Sequence, residues 1–295
     1  MGDVLAGFHA AWEFESDSVL IRFERGIRTP KLFQALGERR IPLEAIAAVT
    51  LSPGKRGTMV LHAVPRPGAD PLMEAAAGQL KDGCDPYRLV LPAERETLAE
   101  YYADELRAQI PGESEPPDRY LVAAPEAPLQ FKAYDGKASF DGKQVSFRWF
   151  WTGASSAKWK AGDQSFPVTD LCGIEWRSPE LFEGHLRLLR RETPVAQPAQ
   201  ADQDPAAVVF GLGYGPVHES LPFAASVLAA VRTSGPAGPA LTAGGTGTGA
   251  SVTPAVRRDP ADIADRIRHL GELHQAGLLT DEEFTTKKAE LLAEL

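Results

Sequence analysis

Six histidines are the first residues to weigh for chemistry: His9, His62, His185, His218, His269 and His274. A metal centre needs them paired with cysteine or carboxylate at ligand spacing, and none is so placed. His269 and His274 stand five apart, off the i, i+4 relation that shares a helix face. No GxSxG elbow and no cysteine–histidine signature marks a nucleophile. The two cysteines, Cys84 and Cys172, are too few for a disulfide framework and read as buried or incidental thiols in a reducing compartment. Gly211-Leu212-Gly213-Tyr214-Gly215 has the glycine content of a phosphate loop. No βαβ unit surrounds it and no GK[ST] follows, so it reads as a strand-to-helix turn. These residues predict no enzyme, no metal and no cofactor.

Charge supplies a second kind of chemistry. The 295 residues hold 31 Lys and Arg against 40 Asp and Glu, a net charge of −9 that argues against nucleic acid as a partner. Locally the balance reverses. Arg22, Arg25, Arg28, Lys31, Arg39 and Arg40 face only Glu24 and Glu38 within one segment, and Lys55-Arg56 sits in a nearby turn. Such a segment predicts a weak anion-binding or anionic-membrane face, with a solvated charged surface as the plain alternative. The first residues lack a basic n-region and an apolar h-region, which predicts no secretory leader. The most apolar window, Phe223 to Val231, is too short to span a bilayer. The expectation is a cytoplasmic protein, with peripheral membrane contact as the alternative.

The elements that position these groups occur twice. Phe14-Glu15-Ser16-Asp17-Ser18-Val19-Leu20-Ile21-Arg22-Phe23 returns 126 positions later as Phe140-Asp141-Gly142-Lys143-Gln144-Val145-Ser146-Phe147-Arg148-Trp149. Each copy reads as two strands about a polar turn; Val19, Ile21 and Phe23 share one face, as do Val145, Phe147 and Trp149. Ile41-Pro42-Leu43 is answered by Phe166-Pro167-Val168, and Asp85-Pro86 by Asp204-Pro205. Each copy ends in an amphipathic helix: Leu98, Tyr102, Leu106 and Ile110 mark the first, Leu221, Ala225, Leu228 and Val231 the second. The outline is mainly β with α, a meander of antiparallel strands closed by a helix, made twice. Pro65 to Pro86 reads as a surface excursion, with a short helix within Leu72 to Leu80.

The expected organisation is a first domain over 1–110, a Pro-rich acidic linker over 111–127, a second domain over 128–233, a flexible linker over 234–256 and a helical hairpin over 257–295. The second linker carries no charge and has a reach of roughly 25 Å. In the hairpin, Asp259 and Pro260 start a helix that Gly277 stops. Thr280 to Glu283 forms a capping box, with Leu279 and Phe284 as its hydrophobic staple. Two short helices cannot hide all of Leu270, Leu273, Leu278, Phe284 and Leu291 from water, so these residues are expected to bind a partner.

Leu270-x-x-Leu273-x-x-x-Gly277-Leu278-Leu279-Thr280-x-x-Glu283-Phe284-x-x-x-Lys287 resembles the short C-terminal domain called SHOCT. The tandem body resembles a family of actinobacterial proteins with two pleckstrin-homology-like domains ahead of such a tail. The repeated Phe-x-x-x-x-Val-x-[Ile/Phe]-Arg segment, the [Ile/Phe]-Pro-[Leu/Val] strand and the closing helix carry that likeness. It implies two tandem seven-strand, partly open barrels, each capped by a helix, and implies no activity. The SHOCT likeness implies oligomerisation or protein contact. The function expected is therefore a non-enzymatic protein-interaction or oligomerisation scaffold whose partner is itself or another protein. The alternative is a peripheral membrane or anionic-ligand module acting through the basic face of the first domain.

Overall fold

The computed structural model describes residues 3–111, 115–191 and 200–234. The first repeat runs β1 (Asp3–Ala6), β2 (Ala10–Phe14), β3 (Ser18–Phe23), α1 (Lys31–Leu36), β4 (Glu38–Pro42), β5 (Ile46–Pro53), β6 (Thr58–Pro65), α2 (Pro71–Ala76), β7 (Arg88–Pro92) and α3 (Glu96–Gln109). The second runs β8 (Leu129–Lys132), β9 (Gly136–Phe140), β10 (Gln144–Trp149), α4 (Ser156–Ala161), β11 (Gln164–Pro167), β12 (Leu171–Arg177), β13 (His185–Arg190), β14 (Ala207–Val209) and α5 (Val217–Ser234). In each repeat four antiparallel strands form one sheet and three form another, in sequence order. The architecture is mainly β with few helices, and it is duplicated.

The duplication holds to the residue. Phe14 lies opposite Val19 and Phe140 opposite Val145; Val19 in turn faces Ile41, and Val145 faces Phe166. The polar turn between the paired strands closes with Glu15 N donating to Ser18 O in one copy and Asp141 N to Gln144 O in the other. In the second copy the Asp141 carboxylate also accepts from Lys143 N and Gln144 N at 2.8 Å, an Asx turn that sets the register. Pro42 and Pro167 each end the fourth strand, where a missing N–H costs no ladder bond. The corner where the two sheets meet is alike as well: Phe8 N donates to Val90 O, and Tyr134 N to Val209 O.

Three elements depart from the sequence expectation. The strand meander outlined from the sequence has no helix within the basic segment; Lys31 to Leu36 forms α1 there, with Leu32 and Phe33 buried. On α3 the buried residues are Ala99, Tyr102, Ala103 and Leu106, while Leu98 is exposed. A row at spacing four advances about 40° per step around a 3.6-residue helix, so its ends leave the face that its middle occupies. The third departure is the largest. The excursion over 65–86 is not a surface feature: it carries α2, and Leu72, Ala75 and Ala76 are buried.

That burial fuses the repeats. Leu72, Ala75 and Ala76, with Leu32 of α1, belong to the core of the second repeat, packed with Trp176, Phe223 and Ala224. Asp70 caps α2 by accepting from Leu72 N at 2.8 Å, Pro71 takes the first helical position, and Ala77 closes it in the left-handed conformation. Beyond α2, Gln79 clamps the partner repeat: its Nε2 donates to Trp176 O at 3.0 Å and its Oε1 accepts from Ser178 N at 2.9 Å. At the far end of α5, Arg232 donates to Gly68 O at 2.9 Å and Pro117 O at 2.7 Å and lies over the Tyr120 ring. With α1 and α2 on one side and its own sheets on the other, α5 is buried nearly all round from Ser220 to Val227.

Candidate functional site

The basic segment divides into three fates. Arg39 points inward, buried: its Nη2 meets Asp70 Oδ1 at 2.5 Å and its Nε donates to Tyr87 Oη at 2.9 Å. Tyr87 Oη donates in turn to Asp70 Oδ2 at 2.5 Å, so each of the three groups is bonded to both others. Burial works against the Arg39 charge, but Asp70 and Tyr87 hold its pKa above the ordinary value. Burial pushes the Tyr87 hydroxyl well above its own ordinary value, against Arg39 and with Asp70. This triad ties β4, the cap of α2 and the residue ahead of β7 together, which is structural chemistry.

Arg22 and Arg40 lie on the outer face of the first sheet, paired with Glu13 at 2.6 Å and with Glu15 respectively. Exposed pairs of this kind contribute little to stability. Arg25, Arg28 and Lys31 lie on the loop between β3 and α1 and at the start of α1, and among the described residues no carboxylate pairs with them. Ile27, between the two arginines, is fully exposed at 106%. Gln34 Nε2 fastens this loop by donating to Gly26 O and Thr29 O. Lys55 and Arg56 are exposed on the β5–β6 turn, with Arg56 at a positive φ of 57°. The segment thus supplies separate exposed cations on loops, not one assembled cluster.

Sequence reasoning missed a second buried ion pair. In the second repeat Lys158 is fully buried on α4, its Nζ 2.5 Å from Asp135 Oδ2 and 5.0 Å from the Trp149 ring centre. Asp135 Oδ1 also accepts from Val209 N at 2.9 Å. Burial raises the Asp135 pKa and lowers that of Lys158, and each partner opposes the shift. The first repeat shows what was replaced. There Phe23 stacks on Phe33 at 4.6 Å, and His9 meets Thr29 at 3.3 Å. Trp149 and Asp135 stand 126 positions after Phe23 and His9, and Lys158 occupies the place of Phe33. Setting the repeats side by side, with a lysine falling on a buried phenylalanine, was the signal available.

A cleft of about 560 Å³ lies between the repeats. Pro30, Lys31 and Leu32 with Gln79 to Lys81 and Cys84 form one wall; the β12–β13 turn, the β14–α5 turn and the start of α5 form the other. Lys81 and Glu180 bridge its rim at 2.9 Å. Two of its titratable groups, Cys84 and His218, are shifted toward their neutral forms. Burial raises the Cys84 thiol, which makes it a poor nucleophile at neutral pH. Burial, with Lys31, lowers His218 against the pull of Glu219. Gly211 to Gly215 is the expected strand-to-helix turn: Gly211 and Tyr214 exchange backbone hydrogen bonds, and Gly213 and Gly215 take positive φ.

The remaining histidines have local partners. His62 lies 3.2 Å from Asp85, and His185 has Nδ1 2.8 Å from Glu183 O. Among the described residues no three histidine, cysteine or carboxylate groups converge as a metal site would require. His269, His274 and the expected partner-binding residues Leu270, Leu273, Leu278, Phe284 and Leu291 lie outside the described residues. Among the described residues no helix is long and apolar enough to cross a membrane.

Comparison with known proteins agrees with the duplication. A family described as a domain of unknown function, DUF4429, matches residues 12–107 and again 138–228. A second, described as a short C-terminal domain, SHOCT, matches residues 265–292. No curated protein matches the chain.

Proposed function

This chain belongs to the family described as domain of unknown function DUF4429, and we propose that it works as a non-enzymatic scaffold: a rigid pair of repeats that presents binding surfaces, joined to a short C-terminal domain that associates with itself or with another protein. The observation that carries the reading is the buried seam, where α2 of the first repeat completes the core of the second. Two domains on a loose linker would move independently; this seam fixes their surfaces at one spacing. The buried ionisable groups, Arg39 with Asp70 and Lys158 with Asp135, are spent on holding the body together. A pleckstrin-homology-like character of each repeat belongs to the same proposal. It is supported by the four-plus-three strand order, the bonded sheet corners and the closing helix.

The association segment is residues 257–295, with Leu270, Leu273, Leu278, Phe284 and Leu291 as its contacts. Burying one such side chain contributes roughly 1.5–3 kcal/mol, so a few anchors sustain a modest complex. Sedimentation equilibrium of the full chain and of a chain ending at Ser234 tests it. The expected result is association of the full chain alone, weakened by Phe284→Ala with the repeats still folded. Two monomers at high concentration exclude self-association and leave a different protein as the partner.

One observation favours a second reading, an anionic-membrane face. Ile27 projects fully exposed between Arg25 and Arg28, and Lys31 follows at the cleft rim. An apolar tip with a basic collar suits a headgroup layer better than it suits bulk water.

A further inference from the structure

In the second repeat the strands alternate direction, so its connections fall at two ends. The β8–β9 turn, the β10–α4 loop, the β12–β13 turn and the β14–α5 turn share one end. Contacts confirm the grouping. Tyr134 and Tyr214 meet edge to face at 6.2 Å, Phe210 N donates to Gly184 O at 2.8 Å, and a Cβ on Gly153 would strike the Tyr134 backbone. Every one of these four loops carries an exposed large apolar side chain. Trp151 is 81% exposed, Phe182 83% and Leu212 101%, with Tyr134 beside them. At the other end, residues 141–143, 168–170 and 200–206 carry none of the exposed large apolar groups. Leu189, 38% exposed on β13, stands apart from this set, and a set of exposed apolar groups gathered at one end of a domain marks a contact surface.

We infer that this end of the second repeat seats on a phospholipid membrane, with Trp151, Phe182 and Leu212 entering the interfacial layer. Three features choose a membrane as the occupant. The apolar groups rise singly from separate loops, so a rigid protein would need a pocket for each, whereas a headgroup layer yields to all. Their types are those that favour the membrane–water interface, aromatic rings with apolar neighbours. Finally, cations unpaired among the described residues adjoin the apolar groups. Lys31 lines the cleft with Leu181, Phe182 and Leu212, where Lys81 pairs with Glu180 and Glu183 is the remaining carboxylate, and the loop ahead of Lys31 adds Arg25, Arg28 and Ile27. The loops are braced for the task. Trp151 and Trp159 meet edge to face at 5.6 Å, and Ala154 N donates to Phe150 O at 3.1 Å. The inference rests on the membrane reading of the basic loop and adds to it an apolar insertion surface on the other repeat.

The test is flotation of the full chain with two vesicles, phosphatidylcholine alone and phosphatidylcholine with roughly one-third phosphatidylserine, at about 0.1 M and about 0.5 M salt. The expected result is partition to both, stronger to the anionic vesicle, with a residue that salt does not remove. Trp151→Ser and Leu212→Ser should each weaken partition about tenfold and leave the thermal midpoint unchanged, because both side chains project into solvent. Brominated acyl chains should quench tryptophan fluorescence in the unsubstituted chain. Trp12, Trp149 and Trp176 are buried, so quenching reports on Trp151 and Trp159. Partition that salt abolishes and that neither substitution changes overturns the inference and leaves the basic-loop reading standing. No partition to either vesicle overturns both. Self-association of the chain that Leu212→Ser abolishes would assign this end to a second copy, and the membrane would be the wrong occupant.

Discussion

Lys158 and Asp135 form a buried ion pair that is costly to break from one side. Both side chains are sequestered from water, and the carboxylate already serves Val209 N. Lys158→Met should lose about 3–5 kcal/mol by stranding a buried charge. Lys158→Met combined with Asp135→Asn should recover most of that, since the amide oxygen still accepts from Val209 N. Chemical denaturation of the two single variants and the double gives the coupling directly, and additive losses would refute it. Tyr87 makes a pH-dependent prediction. Its folded pKa lies well above its ordinary value, chiefly through burial. Its contribution to stability is therefore whole below about pH 10 and falls as pH rises past it, because the unfolded chain ionises first. Tyr87→Phe should make the loss above pH 10 shallower by up to about 1.4 kcal/mol per pH unit. Equal slopes in the two proteins would contradict this.

At the scale of elements, α2 is the test of how the repeats cohere. It belongs by sequence to the first repeat and by packing to the second. Leu72→Ala should lose about 2–5 kcal/mol and lower the stability of both repeats together, read by near-ultraviolet circular dichroism, where Trp12 reports the first core and Trp149 and Trp176 the second. What the sequence made legible follows from range. The paired strands and polar turns repeat at a fixed offset, so Phe14, Val19, Phe140 and Val145 found their register without a structure. The burial of α2 was hidden for the same reason. Its six residues carry one large aliphatic besides Met73 and sit among Gly68, Gly78 and Gly83, and the surface that covers them comes from α5, some 150 residues on. The basic segment shows the same limit. Charge density marked it, but only the fold separates Arg39, buried on Asp70, from Arg25 and Arg28 at the loop.

At the scale of the whole molecule, a duplicated body precedes a stretch that matches a short C-terminal domain. The body's rigidity comes from a seam in which each side lacks something alone: the first repeat would expose Leu72, Ala75 and Ala76, and the second would expose one flank of α5. Gln79 and Arg232 add hydrogen bonds across the same seam. A domain that depends on its neighbour for part of its core should not unfold without it. Differential scanning calorimetry of the chain ending at Ser234 measures this directly. One transition is expected, with calorimetric and van't Hoff enthalpies that agree, lowered as a single transition by Leu72→Ala. Two resolved transitions, of which Leu72→Ala moves only one, would contradict it.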